Sequence, residues 1–192
     1  MLQVPQNGDH KVLLPVLVFF AGGILHGSGS AFGAKYFMDT DSILVTFNSR
    51  LGALGFLNLN DEQAAGNQGM KDQVALLKWV QENIEKFGGD KDRVTIFGSG
   101  QGAAMVHYHL LSDRSKGLFH NAISQSGSAT APWAFVRDPI HQAKRYAQRL
   151  GCPHDTKENL LKCLKEKDSK DLVLTFTGRI LEVNTVLVFK AT

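Results

Sequence analysis

The sequence predicts an α/β fold in which a mostly parallel sheet carries helices on its flanks. Short apolar runs rich in β-branched residues, each bounded by turn residues, recur between residues 16 and 126. These runs do not alternate apolar with polar residues, which is typical of strands buried on both faces of a parallel sheet. A helical segment separates two of the runs, and the order strand, helix, strand favours a right-handed crossover connection.

The predicted strands are the apolar runs at residues 16–20, 42–47, 93–97 and, more weakly, 121–126. The first run lies within KVLLPVLVFFAGGIL (11–25), which could also be interpreted as the core of a signal peptide. Pro15 interrupts this stretch, no Lys or Arg precedes Lys11, and a glycine-rich turn follows it. These features favour a buried strand.

The clearest predicted helix covers residues 71–87, where apolar residues recur at steps of three or four and Gly-Gly-Asp ends the pattern. Its predicted core-facing residues are Val74, Leu77, Val80, Ile84 and Phe87. A second helix is predicted directly after Gly102, and two charged amphipathic helices are predicted at 138–151 and 156–167. The tail from 172 to 192 is apolar and rich in β-forming residues, without a recognisable partner.

The composition is that of an ordinary globular protein, with 192 residues, of which 43% are hydrophobic and 20% charged. The net charge of +3 comes from 21 basic and 18 acidic residues without a long basic run, so nucleic acid is not an expected partner. No apolar stretch reaches the roughly 18 residues that a membrane span needs, and no span is expected. No cofactor and no metal site are predicted.

The two cysteines, Cys152 and Cys163, allow two interpretations. They could be half-buried thiols of a cytosolic protein. They could equally close a small disulfide loop around the polar segment between them, which would imply an oxidising compartment. Their spacing alone leaves both possibilities open.

The stretch VTIFGSGQGAA (94–104) has the outline of a catalytic turn. An apolar strand is followed by glycines and then by the alanine-rich start of a helix. Hydrolases with a serine nucleophile use such a turn, G-x-S-x-G, to hold the serine clear of the backbone. Here Gly98 and Gly102 are the outer glycines, Gly100 lies midway between them, and Ser99 stands one position early.

Several stretches taken together carry a family resemblance: PVLVFFAGGIL, NSRLGALGFL, GNQGMKDQVALLKWVQENIEKFGGD, RVTIFG, LFHNAISQSGS and APWA. The chain resembles the type-B carboxylesterase and cholinesterase family of α/β-hydrolases. Within that family, its sequence is most similar to insect esterases. The resemblance runs from about residue 15 to 171 and is dense between 48 and 128. It implies a partial α/β-hydrolase fold, with 1–192 as a single incomplete domain whose tail, 172–192, is unassigned.

The resemblance also bears on the cysteines and on the cellular location. Cys152 and Cys163 fall where the family places a small disulfide loop, so the resemblance implies that they are bonded. It further implies the secretory pathway or the extracellular space, although the sequence contains no convincing signal peptide.

The family's nucleophile position falls on a glycine. Aligned through VTIFG, the family's G-E-S-A-G reads here as Gly98 to Gly102, so that Gly100 holds the place of the serine. Residues two before and two after the nucleophile must be small because the turn packs tightly. For Ser99 these neighbours would be Phe97 and Gln101, so Ser99 is off register. No catalytic residue is therefore predicted.

The oxyanion hole of the family is made of backbone N–H groups, which stabilise the charge that develops on the substrate oxygen. The resemblance assigns these donors to Gly23, Ile24 and Gln101. Ile24 stands where the family has glycine, and a β-branched residue resists a positive φ. A glycine turn that only links strand to helix is the alternative interpretation.

The acid and the histidine of the family follow the nucleophile along the chain, at positions beyond residue 192, and none of the seven histidines is expected to act as the base. The expected function is a carboxylesterase-like region without ester hydrolase activity. Two alternatives are part of an active carboxylic ester hydrolase with an incomplete or misread sequence, and a non-catalytic binding homologue similar to the family's cell-adhesion members. A third is an incomplete gene product that does not fold stably. The expected partners are a small ester ligand or another protein.

Overall fold

The computed structural model describes residues 1–5, 12–22 and 28–177 of the chain, in which a five-stranded sheet is accompanied by a separate two-stranded one. The strands are β1 (Leu2–Gln3), β2 (Leu14–Phe20), β3 (Ile43–Thr46), β4 (Asn58–Asp61), β5 (Ala64–Ala65), β6 (Gly89–Ser99) and β7 (Asn121–Gln125). The α-helices are α1 (Gly52–Phe56), α2 (Gln68–Asn83), α3 (Gln101–Leu111), α4 (Pro139–Arg149), α5 (Lys157–Glu166) and α6 (Ser169–Thr177).

The main sheet has the spatial order β1-β3-β2-β6-β7. β2 pairs in parallel with β3 on one side and with β6 on the other, and β6 pairs in parallel with β7. The short β1 pairs antiparallel with β3. α2 lies between β3 and β6 along the chain, and β2 separates these two strands in the sheet. The predicted parallel sheet, its four strands and its crossover helix are confirmed, and the segment 14–20 is a strand.

The main core lies on one face of this sheet. Alternate residues of β2 are buried, and they pack with apolar side chains of α2 and α3. Val16, Val18 and Phe20 of β2 meet Leu77 and Val80 of α2 in this cluster. The opposite face is half-buried, and there the ring of Phe19 contacts the ring of Phe32, with centroids 4.6 Å apart. An aromatic side chain from the segment after β2 therefore packs on this second face.

Two expectations about burial need correction. All four residues of β3 are buried, but four of the five residues of β7 are exposed, because β7 is an edge strand of the described sheet. Phe87 is 44% exposed, since the chain tightens into a 3₁₀ turn over Ile84–Phe87 and the 3.6-residue periodicity ends. Phe87 packs instead against Trp79, with ring centroids 6.0 Å apart.

The first part of the tail is helical and not β-structure. Residues 172–177 belong to α6, and residues 178–192 lie outside the described part of the chain. The carboxylate of Asp168 accepts from the backbone N–H of Lys170 at 2.7 Å, and Leu172 packs against a second apolar cluster. The Tyr146 hydroxyl donates to the carbonyl of Leu172 at 2.6 Å. These contacts override the β-propensity of the segment.

The second apolar cluster joins the β4–β5 hairpin to the charged helices. Leu59 of β4 and Ala64 of β5 pack with buried side chains of α4 and α5. Cys152, between these helices, is bonded to Cys163 of α5, and their Cα atoms are 5.8 Å apart. The implied disulfide is therefore present, and it fixes α5 against α4.

The described residues contain neither a membrane-spanning helix nor a cluster of metal-binding side chains. No helix there combines the length and the apolar character needed to cross a membrane. The same residues hold no group of three or more His, Cys, Asp or Glu side chains arranged to bind a metal ion.

Candidate functional site

The turn between β6 and α3 is a single residue. β6 ends at Ser99, α3 begins at Gln101, and Gly100 between them has φ 57° and ψ −115°. Residues with a side chain are strained in this region, whereas glycine enters it readily. The Gly100 N–H donates to the carbonyl of Gln125 at 2.8 Å, and the Gly100 carbonyl accepts from the N–H of Ala104 at 3.2 Å. The turn is thus bonded to β7 on one side and to its own helix on the other.

Close backbone packing surrounds this turn on two sides. A Cβ atom on Gly98 would lie 2.6 Å from the carbonyl carbon of Gly102. A Cβ atom on Gly102 would lie 2.2 Å from the carbonyl oxygen of Phe20 at the end of β2. A Cβ atom on Gly100 would meet no heavy atom within 4 Å. Glycine is therefore required two residues before and two residues after Gly100, while the apex itself has open space.

Ser99 occupies an ordinary strand position. It is the last residue of β6, it is paired with Gln125 of β7 in the parallel register, and it is exposed. The residue two positions before it, Phe97, packs its ring against Phe19 with centroids 4.9 Å apart. The tightly packed small neighbours that a catalytic turn needs thus flank Gly100 and not Ser99.

The three residues assigned to the oxyanion hole are only partly described. Gln101 is the first residue of α3, directly after Gly100. Gly23 and Ile24 lie outside the described residues, so their donor role stays a prediction. Gly22, just before them, comes close to the turn, because a Cβ atom there would lie 2.8 Å from the carbonyl oxygen of Ser99. The pair of glycines at 22 and 23, after the first predicted strand, was the sequence feature that indicated this close approach to the turn.

His109 is a core residue with both ring nitrogens engaged. It is 2% exposed, its Nδ1 lies 2.7 Å from the Ser115 hydroxyl, and its Nε2 lies 2.9 Å from Oε1 of Gln73. Burial lowers the pKa of His109 from 6.5 to about 4. The ring is therefore neutral near pH 7 and links α3 to α2. The sequence did not predict this contact with Gln73, which lies 36 positions before His109 in the chain.

Other described histidines also have structural partners. Nδ1 of His107 accepts from the N–H of Ala129 at 3.2 Å, and Nδ1 of His120 accepts from the N–H of Val94 at 3.3 Å. His141 is exposed on α4. His154 has Nδ1 3.4 Å from the carbonyl oxygen of Cys152. His10 and His26 lie outside the described residues.

An ion pair that sequence reasoning missed connects the segment before α1 to α2. Arg50 donates to the carboxylate of Asp72 from Nε at 2.9 Å, from Nη2 at 2.6 Å and from its own backbone N–H at 2.9 Å. These hydrogen bonds hold the pKa of Asp72 below its usual range. Both residues lie in stretches that carry the family resemblance. That resemblance was the one sequence feature that could have pointed to this ion pair.

A small cleft opens beside the end of β2. Some of its lining residues are sequence neighbours of Arg50 and Asp72. Its walls combine apolar side chains with the polar groups of Asn48, Ser49 and Gln73. Oδ1 of Asn48 accepts from the backbone N–H of Gly29 at 2.9 Å, which holds the two sides of the cleft together. Gln73 therefore lies between the cleft and the buried His109.

The mostly parallel sheet with flanking helices, and the one-residue glycine turn at its carboxyl edge, fit a partial α/β-hydrolase fold. A sequence model of the carboxylesterase family matches residues 2–190, and the chain belongs to this family. The expected resemblance to type-B carboxylesterases is confirmed, and the match extends past both ends of the range from 15 to 171 that the motifs had indicated.

Similar proteins include esterases and a neuroligin. The carboxylic ester hydrolase of Bombus ignitus is 42% identical over 95% of this chain and 33% of its own length. Esterase FE4 of Myzus persicae is 42% identical over 91% of this chain and 31% of its own length. Neuroligin-2 of Mus musculus is 43% identical over 83% of this chain and 19% of its own length. The chain thus spans about a third or less of each of these relatives.

Proposed function

We propose that this chain is a carboxylesterase-family region without ester hydrolase activity, because the residue at the apex of its catalytic turn has no nucleophile. The observation that carries the proposal is the backbone of Gly100, with φ 57° and ψ −115°, between β6 and α3. This is the position at which a hydrolase of this fold presents its serine hydroxyl. Here Gly100 has only a hydrogen atom in place of a side chain, and the space beside it is open.

The missing hydroxyl matters because covalent catalysis splits ester hydrolysis into acylation and deacylation of the nucleophile. Backbone donors alone stabilise the oxyanion but form no bond to the carbonyl carbon. Removing the serine of such a site typically lowers turnover by about 10⁶-fold. The chain is therefore expected to be inactive on esters even if its oxyanion donors are correctly placed.

Ser99 is not expected to replace the missing nucleophile. Its backbone is held in the β6–β7 pairing, so its side chain is not at the apex of the turn. A serine hydroxyl also needs a base to take its proton. His107 and His109 use ring nitrogens in structural hydrogen bonds, which makes them unsuitable for that role.

A binding function is the second candidate. The close packing of Gly98 and Gly102 keeps the turn formed without a nucleophile, as expected of a fold that is retained for binding. The family resemblance includes cell-adhesion members, which use the fold as a binding module. The candidate ligands are a small ester or a partner protein.

The test is labelling of the purified chain with a fluorophosphonate probe, which reacts only with an activated serine, followed by peptide mapping. We expect no labelling of the wild type and no hydrolysis of p-nitrophenyl butyrate above the buffer rate. Ser99→Ala is the matched control and should behave like the wild type. Labelling at Ser99 that is lost in Ser99→Ala would overturn the proposal.

A second experiment addresses the alternative of an active hydrolase whose sequence is misread at the turn. Sequencing of the transcript should return glycine at codon 100. Serine at that codon would replace the proposal by an active carboxylic ester hydrolase. Gly100→Ser in the 192-residue chain should remain unlabelled, because the described histidines do not supply a base. Strong labelling of Gly100→Ser would show that a base is present after all.

A further inference from the structure

The exposed face of α4 carries charge of one sign. Within the helix the charged side chains are Lys144, Arg145 and Arg149, and the titratable His141 stands one turn before Arg145. In contrast, α2, α5 and α6 each mix basic with acidic residues, and α3 contains no Lys, Arg, Asp or Glu. We call the side chains of His141, Lys144, Arg145 and Arg149 the α4 basic face.

The α4 basic face is presented to solvent and makes no ion pair with the rest of the described chain. His141, Arg145 and Arg149 are exposed and Lys144 is half-buried. The ion pairs among residues 1–5, 12–22 and 28–177 involve other elements of the fold. The four residues follow one another at steps of three, one and four, so they form a strip along a single side of the helix.

The opposite side of α4 fixes this strip in place. Ala143, Tyr146 and Ala147 are buried in the second apolar cluster, and the disulfide from Cys152 to Cys163 joins the end of α4 to α5. The packing fixes the backbone positions from which the cationic side chains of the strip project.

Arg149 lies in the last turn of α4, where a cation is favoured by the helix dipole, but Arg145 one turn before it repels Arg149 as a like charge at i,i+4. The charge is also segregated along the chain. Residues 137–170 hold nine Lys or Arg and five Asp or Glu, a net +4, while residues 1–136 hold ten basic and eleven acidic residues, a net −1. A chain with a net charge of only +3 therefore carries its excess positive charge in the segment that contains α4 and α5.

We propose that the α4 basic face is a binding surface for a linear sulfated polysaccharide. Repeated sulfate groups along an extended chain complement a row of guanidinium and ammonium groups along one side of a helix. The Arg guanidinium donates two parallel N–H hydrogen bonds to such oxyanions. The inference is independent of ester chemistry, because it does not involve the turn at Gly100.

The disulfide favours this ligand over an acidic lipid surface. Disulfides persist in oxidising environments such as the extracellular space. The negative surface potential of cell membranes is concentrated on the cytoplasmic leaflet. A basic face on a disulfide-bonded chain therefore meets sulfated glycans in its own compartment, whereas anionic lipids are on the other side of the membrane.

The experiment is chromatography of the disulfide-bonded chain on immobilised heparin, with affinity measured in parallel by titration with a heparin decasaccharide at 0.15 M NaCl. The test variant is Lys144→Gln/Arg145→Gln/Arg149→Gln. The matched control is Lys71→Gln/Lys78→Gln/Lys116→Gln, which removes the same charge from exposed positions elsewhere. Thermal melting checks that both variants remain folded.

We expect the α4 variant to elute at lower salt and to bind the decasaccharide about tenfold more weakly, since it loses three exposed cationic contacts to sulfate groups. The control should bind as the wild type does. Equal losses in both variants would overturn the proposal in favour of bulk charge. Absence of binding at 0.15 M NaCl, or binding to phosphatidylserine vesicles but not to heparin, would also overturn it.

Discussion

Nε2 of His109 lies 2.9 Å from Oε1 of Gln73, so that a side chain of α3 meets a side chain of α2 inside the core. Nε2 of Gln73 donates to the sulfur of Met105 at 2.9 Å, which identifies its other terminal atom as the acceptor. With this orientation of the Gln73 amide, the proton of the neutral His109 ring is assigned to Nε2, and Nδ1 accepts from the Ser115 hydroxyl at 2.7 Å. Both partners can also accept from a protonated ring, so burial, and not the hydrogen bonds, keeps His109 neutral.

Protonation of His109 should destabilise the fold. Its pKa is lowered from 6.5 to about 4 by burial, so the unfolded chain takes up the proton first as the pH falls. The stability contributed by the neutral ring is complete above pH 6.5 and is lost as the pH falls towards 4. Urea unfolding should show a loss of about 3 kcal/mol over this range, at 1.36 kcal/mol per pKa unit.

His109→Gln should flatten this pH dependence because it removes the titrating group. The matched control is His141→Gln on the exposed face of α4, which should retain the wild-type slope. If the wild type and His109→Gln have parallel stability curves between pH 6.5 and 4, the buried network is not the acid-sensitive element.

Asp72→Asn should weaken the connection between Arg50 and α2. Since the pKa of Asp72 is lowered, its contribution is present above the ordinary aspartate pKa of 3.8 and is lost as the pH falls below that value. At pH 7 we expect a loss of about 0.5 to 1 kcal/mol in urea unfolding, because the pair is partly exposed. The difference from the wild type should shrink in acid. Asp41→Asn, at an exposed position, should leave stability unchanged, and an equal effect would contradict the assignment.

Gly102→Ala should destabilise the turn, since the added methyl group would lie 2.2 Å from the carbonyl oxygen of Phe20. Overpacking of this kind costs about 1 to 3 kcal/mol or more. Gly33→Ala is the control, because a Cβ atom there meets nothing within 4 Å. Denaturant titration should place Gly33→Ala within about 0.5 kcal/mol of the wild type. Similar stabilities for the two variants would disprove the close approach of α3 to β2.

Replacement of both Cys152 and Cys163 by serine should loosen α4 and α5. The cysteines are 11 residues apart, and the chain-entropy model gives about 3 kcal/mol for a loop of that size. The thermal midpoint of the double variant should be lower than that of the oxidised wild type and insensitive to reductant. A wild type whose melting does not respond to reductant would contradict a stabilising role for the bond.

The sequence by itself determined the elements whose signals are local. Apolar β-branched runs predicted the four parallel strands, and the step of three or four apolar residues predicted α2, because strand and helix periodicities are properties of neighbouring residues. The glycines at 98, 100 and 102 predicted a tight turn centred on Gly100, since small residues at that spacing satisfy the packing of one known geometry. The family resemblance added the disulfide, which spacing had left open.

Only the tertiary structure decided the features that depend on contacts between distant segments. Residues 172–177 form a helix because Tyr146 and the second apolar cluster hold Leu172, although the local composition favours a strand. The pairing of His109 with Gln73 joins residues 36 positions apart, and no local pattern encodes it. The same holds for the α4 basic face, because burial of the opposite side of the helix determines which charges reach solvent. Sequence periodicity depends on residues that are close together in the chain. Contacts between residues that are distant in the chain depend on how the elements pack.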